Sequence, residues 1–100
     1  MSRVRFHEEA ADEFLDAIQY YAERSRAVAA RFVGEVRAGI DLLLEHPEIA
    51  PRISDNTRRK VLRKFPYSII YCFDDDDIVI LAIMRDNRRP GYWKSRTPGV

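Results

Sequence analysis

FPYSIIYCFDDDDIVILAIM, residues 65–84, carries the pattern on which the fold turns. Tyr67, Ile69, Tyr71 and Phe73 fall on one face of an extended chain, Ser68, Ile70 and Cys72 fall on the other, and Ile78 to Met84 is apolar on both. Two strands of a buried, central hairpin account for that pattern. The aspartates Asp74 to Asp77 cannot enter a core and break the period, so they read as a solvated turn. A basic segment follows at once, from Arg85 through Arg88, Arg89, Pro90, Gly91, Tyr92, Trp93 and Lys94 to Arg96. A rigid sheet thus runs into a cationic, aromatic tail, and function is expected there.

Working outward, Val4 and Phe6 alternate with Arg3 and Arg5, which predicts a short first strand. A helix should start near His7, because Glu8, Glu9 and Asp12 place negative charge where the helix dipole favours it. Its apolar stripe is Ala10, Phe14, Ile18, Tyr21 and Ala22, with Asp12, Glu13, Asp16, Gln19 and Glu23 mostly turned away. Ser25 is an N-cap for a second helix with the stripe Ala29, Phe32, Val33, Val36, Ile40, Leu43 and Leu44. That helix should end at His46-Pro47, since the residue before proline avoids helical angles. Close packing of the two helices is the expected reason for Gly34 and Gly39.

Residues 47–58 read as a loop, and Arg59 to Phe65 as a further strand. The order is β-α-α-β-β-β, an α+β domain in which a helical hairpin packs on one face of a small antiparallel sheet. The other face is expected to be partly open. Tyr67, Tyr71 and Phe73 are expected in the core in preference to an aromatic floor on that open face.

The chain has 100 residues, 46% of them apolar and 33% charged, with 4 Gly and 5 Pro, which suits one globular domain over residues 1–100. The N-terminus lacks the apolar region of a signal peptide, and the longest apolar run is far short of the ~18 residues a membrane span needs, so a soluble, cytoplasmic protein is expected. The single Cys72 allows neither an internal disulfide nor a cysteine-based zinc site. Net charge is +1, but residues 1–50 hold 6 Lys+Arg against 10 Asp+Glu, and residues 51–100 hold 11 against 6. With the four-aspartate turn set aside, the second half presents a surplus of nine cations, which suits an acidic or polyanionic partner.

The segment Arg59-Lys60-Val61-Leu62, the strand Phe65-Pro66-Tyr67-Ser68-Ile69-Ile70-Tyr71 and the ending from Arg88 to Arg96, in this order of elements, resemble the RelE/ParE family of type II toxin–antitoxin systems, the plasmid-stabilisation toxins. The resemblance spans nearly the whole chain. It implies a small bacterial toxin that inhibits growth when free and is neutralised by a cognate antitoxin in a hetero-oligomer. It also implies one of two targets: RelE-like members cut messenger RNA in the ribosome, and ParE-like members poison DNA gyrase. Many relatives end the last core strand in a histidine, where this chain has Arg85, and an arginine cannot exchange protons near neutral pH.

Metal-independent RNA cleavage needs a base for the 2′-hydroxyl, cations for the phosphorane and an acid for the leaving oxygen. Cations are plentiful, whereas His7 and His46 sit at helix ends and read as surface or capping residues. Under a nuclease reading the candidates are Lys60, Arg63, Arg85 and Tyr92, with Tyr71 and Asp86 as further proton-transfer groups. Under a binding reading the target is held by Arg59, Arg63, Arg85, Arg88, Arg89 and Tyr92. Trp93 is either the last core plug or part of that contact surface. No metal site, nucleotide loop or cofactor is implied. The sequence favours ParE-like inhibition of gyrase over the RelE-like nuclease, with an inactive binding module of the same fold as a third reading.

Overall fold

The computed structural model describes residues 3–98. Its central hairpin is β4 (Tyr67–Asp74) and β5 (Asp77–Arg85), paired antiparallel from Tyr67 opposite Arg85 to Asp74 opposite Asp77. Asp75 and Asp76 form the two-residue turn. Asp75 has φ of 56°, a left-handed conformation that its short polar side chain tolerates. Near the middle, Ile70 pairs with Ala82 and Tyr71 with Ile80, so Leu81 is an extra residue in a β-bulge. The bulge resets the alternation. Ile78, Ile80 and Ile83 face one core, while Val79, Leu81, Ala82 and Met84 face another.

Five strands lie in the order β1-β5-β4-β3-β2, with β1 (Val4–Phe6) parallel to β5 and the remaining neighbours antiparallel. The α+β layering is as expected, and the sheet departs from the wholly antiparallel expectation at its β1 edge. Nothing in the alternation of a three-residue strand encodes its direction. Its placement comes from the ladder with β5 and from Val4 and Phe6 packed on the core, and two surface ion pairs add to it beside the turn: Arg5 Nη2 lies 2.7 Å from Asp74 Oδ2, and Arg3 Nη2 3.2 Å from Asp77 Oδ2. The Arg3 pair holds the Asp77 carboxyl below the usual range.

A second correction concerns residues 47–58. They include β2 (Arg52–Ser54), and β3 (Thr57–Val61) begins two residues before the expected Arg59 and ends before Phe65. All three β2 residues are exposed, so β2 shows no apolar period to be read. Beyond Val61 the chain leaves the ladder: Leu62 N–H donates to the Tyr67 carbonyl, and the Glu35 carboxylate accepts from the N–H groups of Arg63 and Lys64.

Both helices sit on one face. In α1 (Glu8–Ala22) the N-cap is His7, whose Nδ1 accepts from Glu9 N–H at 3.1 Å; in α2 (Arg26–Glu45) the Ser25 hydroxyl accepts from Val28 N–H. Phe32 is the hub, with its ring 5.2 Å from those of Tyr21, Phe65 and Tyr67, and each such pair adds about 1 kcal/mol beyond the area buried. Tyr67 and Tyr71 are core residues as expected, Phe73 is partly buried against the same core, and the Tyr71 hydroxyl donates to the Pro47 carbonyl. Gly39 serves the sheet and not the other helix. A Cβ there would stand 3.1 Å from Ile69 Cδ1, whereas Gly34 faces open space.

The other face of the sheet is closed over β4 and β5 and open at β3, where Val61 is exposed, so it is partly open as expected. Trp93 is only 4% exposed and closes over Ile70, Cys72, Leu81 and Met84. Gly91, with φ of 78°, makes the reversal that returns the tail to the sheet. Burial, with Asp74 adding to it, pushes the Cys72 thiol up to about 11. At pH 8 the native protein should therefore leave a thiol-specific disulfide reagent unreacted for hours and react within minutes once unfolded. Rapid reaction of the native chain would show that Trp93 does not seal this face.

Candidate functional site

The candidate surface is organised by Glu13, a residue the helical pattern assigns to the outer face of α1. After Phe6 the first strand ends, and β5 loses its neighbour beyond Ile80. Two backbone groups of the bulged strand then point at α1 without a ladder partner. Glu13 Oε1 accepts from Ile83 N–H at 3.1 Å, and Arg96 Nη1 donates to the Leu81 carbonyl at 2.9 Å. Glu13 and Arg96 also grip each other, with Nη1 to Oε1 at 3.0 Å and Nη2 to Oε2 at 3.2 Å. The pair replaces a missing strand, one side chain serving the donor and the other the acceptor.

Tyr92 completes this latch, donating its hydroxyl to Glu13 Oε2 at 2.8 Å. Burial, then the Glu13 carboxylate, push the Tyr92 phenol well above its ordinary value. A phenol so held is a poor proton-transfer group at neutral pH. Arg96 Nε lies 2.9 Å from Glu9 Oε2 as an ion pair, at an angle that makes no hydrogen bond. Ala10 and Ala17 flank Glu13 on the same face of α1 and are buried, so the helix approaches β5 closely enough for one carboxylate to reach it. Small residues at 10 and 17 with an acid at 13 are the signal that identifies this position.

The remaining basic residues divide into three places. Arg59 points to the tail side of the sheet, where its Nε donates to Ser68 Oγ at 3.0 Å and its Nη2 pairs with Asp86 Oδ1 at 3.1 Å; Ser68 Oγ donates to the same oxygen at 2.7 Å. Arg88 lies 4.0 Å over the Tyr92 ring, and Arg89 is exposed. Arg85, at the end of β5, points to the helix side and stands 5.4 Å from the Tyr20 ring. The Tyr20 hydroxyl, then Tyr67, raise its pKa.

Lys60 and Arg63 are elsewhere. They line a groove of about 950 Å³ between α2 and the β3–β4 connection. Its apolar floor includes Val28, Ala38, Leu42, Leu62 and Phe65, and its rim is Arg31, Lys60, Arg63 and Lys64 with one acid, Glu35, whose carboxylate is engaged by the Arg63 and Lys64 N–H groups. The nuclease candidates are thus distributed: Lys60 and Arg63 at this groove, Arg85 against α1, Tyr92 with its hydroxyl in the latch. His7 and His46 are the caps of the two helices. No group of three His, Cys, Asp or Glu able to hold a metal occurs among the described residues, and no helix among them is long and apolar enough to cross a membrane.

Residues 4–90 match the family model described as the ParE toxin of the type II toxin–antitoxin system parDE. The chain belongs to the ParE toxin family. A chain of the chromosomal ParDE toxin–antitoxin system of P. aeruginosa shares the fold, with a TM-score of 0.73 and 19% identity over 85% of this chain and 96% of that one. No sequence among curated proteins matches at a significant level. The match of this ParE-family chain ends at residue 90, so Tyr92, Trp93 and Arg96 lie beyond it while Glu13 lies within it.

Removing Glu13 leaves Arg96, whose side chain is 9% exposed, with only the Glu9 ion pair and without its hydrogen-bonded carboxylate, and leaves Ile83 N–H unpaired. Glu13→Ala should cost about 3 kcal/mol of folding stability, and Glu13→Gln about half that because it keeps an acceptor. Thermal denaturation checks this, with a fall of roughly 12 °C or more expected for the alanine variant. A melting temperature within about 3 °C of wild type would show that the latch is not structural.

Proposed function

We propose that this chain is the toxin of a type II toxin–antitoxin pair, that it inhibits DNA gyrase by binding it, and that a cognate antitoxin silences it. The family match carries the toxin reading. The state of Tyr92 supports binding over RNA cleavage. The one phenol in the basic tail is committed to Glu13, and the two histidines are helix caps remote from that tail in sequence. Target contact falls to Arg85, Arg88 and Arg89, with Arg59 and Arg63 at the margins and Tyr92 as the ring that holds Arg88.

Expression of the chain without its antitoxin should stop growth, and purified protein should abolish gyrase supercoiling while messenger RNA ends remain unchanged. Arg85→Ala or Arg89→Ala should weaken inhibition about tenfold each with folding intact. Cleavage of messenger RNA at codon boundaries, with supercoiling intact, would replace this reading with the nuclease one.

The groove beside α2 suits the antitoxin, for an acidic amphipathic segment would set apolar side chains on Leu42 and Phe65 and carboxylates against its four cations. Ala38→Glu, an exposed change in that groove, should weaken antitoxin affinity at least tenfold and leave gyrase inhibition in place. Unchanged affinity would locate the antitoxin elsewhere.

A further inference from the structure

Two arginine–tyrosine stacks stand beside β5, and they differ in charge balance. In one, Tyr92 has Arg88 at 4.0 Å and Arg96 at 5.0 Å from its centroid, and Arg96 is neutralised by Glu13. In the other, Tyr20 has Arg24 at 3.7 Å and Arg85 at 5.4 Å from its centroid, and neither arginine has an acidic side chain within ion-pair distance among the described residues. Arg3, Arg5, Arg59 and Arg96 are all paired.

Arg24 is not placed by chance. Its Nη1 donates to the Tyr20 carbonyl at 2.8 Å, so it caps the end of α1 where a cation is favoured, and this bond lays the guanidinium on the ring. Arg85 comes to the same ring from the end of β5, with Tyr67 opposite it in the strand pair. Two guanidinium groups are therefore held at one exposed corner by a shared aromatic surface, with their hydrogen-bonding edges uncommitted to any carboxylate. Such a pair is pre-organised for carboxylates or phosphates.

Its surroundings select between these. Helix α1 contains no Lys or Arg, and Asp12, Asp16 and Glu23 are exposed along it and at its end. A phosphate backbone crossing α1 would meet these acids, whereas a protein surface can set carboxylates on the two arginines and bases on the acids. The stacked guanidinium also occupies the ring surface that a nucleobase would use.

We propose that Tyr20, Arg24 and Arg85 form a two-guanidinium clamp that takes carboxylates of an acidic patch on the toxin's protein target. This rests on the gyrase-binding reading for the identity of that target, and it adds Arg24 and Tyr20 to the contact surface. Tyr20 is a positioning residue, Arg24 and Arg85 the contacts.

The test uses the full chain released from its antitoxin, with Arg24→Gln, Tyr20→Leu and Tyr20→Phe. Purified DNA gyrase serves as the binding probe, with growth inhibition in parallel and with melting temperature and antitoxin affinity as controls. Arg24→Gln and Tyr20→Leu should each lose about tenfold in gyrase affinity, and Tyr20→Phe, which keeps the ring under Arg24 but removes the hydroxyl beside Arg85, should lose less than Tyr20→Leu. Antitoxin affinity should be unmoved, which a general loss of structure would not allow. Wild-type affinity in both Arg24→Gln and Tyr20→Leu overturns the clamp. If the wild type arrests growth without binding gyrase, the gyrase reading fails, and the clamp stands only where both variants relieve arrest with messenger RNA uncut. Cut messenger RNA, or a wild type that neither binds gyrase nor slows growth, overturns the clamp as well.

Discussion

The Glu13–Arg96 pair closes the sheet where strand pairing stops. A sheet strand needs partners for its N–H and C=O groups on both sides, and β5 has one on its outer side only as far as Ile80. Past that point a carboxylate from α1 and a guanidinium from the tail supply the acceptor and the donor for Ile83 and Leu81. Three parts of the chain distant in sequence are thereby joined at one place. The same contact seats Tyr92 and keeps Trp93 over the second apolar face. The aromatic residues of the tail thus serve the fold first, and the arginines between and beside them are what remains for a partner.

Charge is segregated along the hairpin. The turn end carries Asp74 to Asp77, two of which hold β1 through Arg3 and Arg5. The opposite end, roughly 25 Å away for an eight-residue strand, carries Arg85, Arg88 and Arg89. Fixing the acids at one end by ion pairs leaves the cations at the other end free of internal competition. Surface ion pairs contribute at most about 1 kcal/mol each to stability, so this arrangement adds little to the fold beyond the strand ladder.

Much of the fold was legible because its signals are local. Ser25, His46-Pro47 and the apolar stripes define two helices, and period-two alternation defines β4, all within a few residues of chain. What was not legible depends on distant contacts. The β2 strand is three exposed residues with no apolar alternation, and the bulge at Leu81 is hidden by a strand apolar on both faces. The parallel direction of β1 depends on its pairing with β5, a strand at the far end of the chain. Of the candidate site, the basic residues were visible as a composition shift, but their division among the groove, the α1 corner and the tail face follows from strand register. Glu13 looked like one more solvent-facing acid, although the buried Ala10 and Ala17 beside it mark a close approach.

The tail's one phenol is bonded to Glu13 and holds structure, and Tyr92→Phe isolates that role from any part in recognition. The substitution removes the hydroxyl bonded to Glu13 and keeps the ring under Arg88. Growth inhibition per soluble molecule should remain within about threefold of wild type, while loss of a bond to a carboxylate, about 1.5 kcal/mol, lowers the melting temperature by roughly 6 °C or more. Abolished inhibition with an unchanged melting temperature would make that hydroxyl a working group in the reaction and rule out a purely structural role.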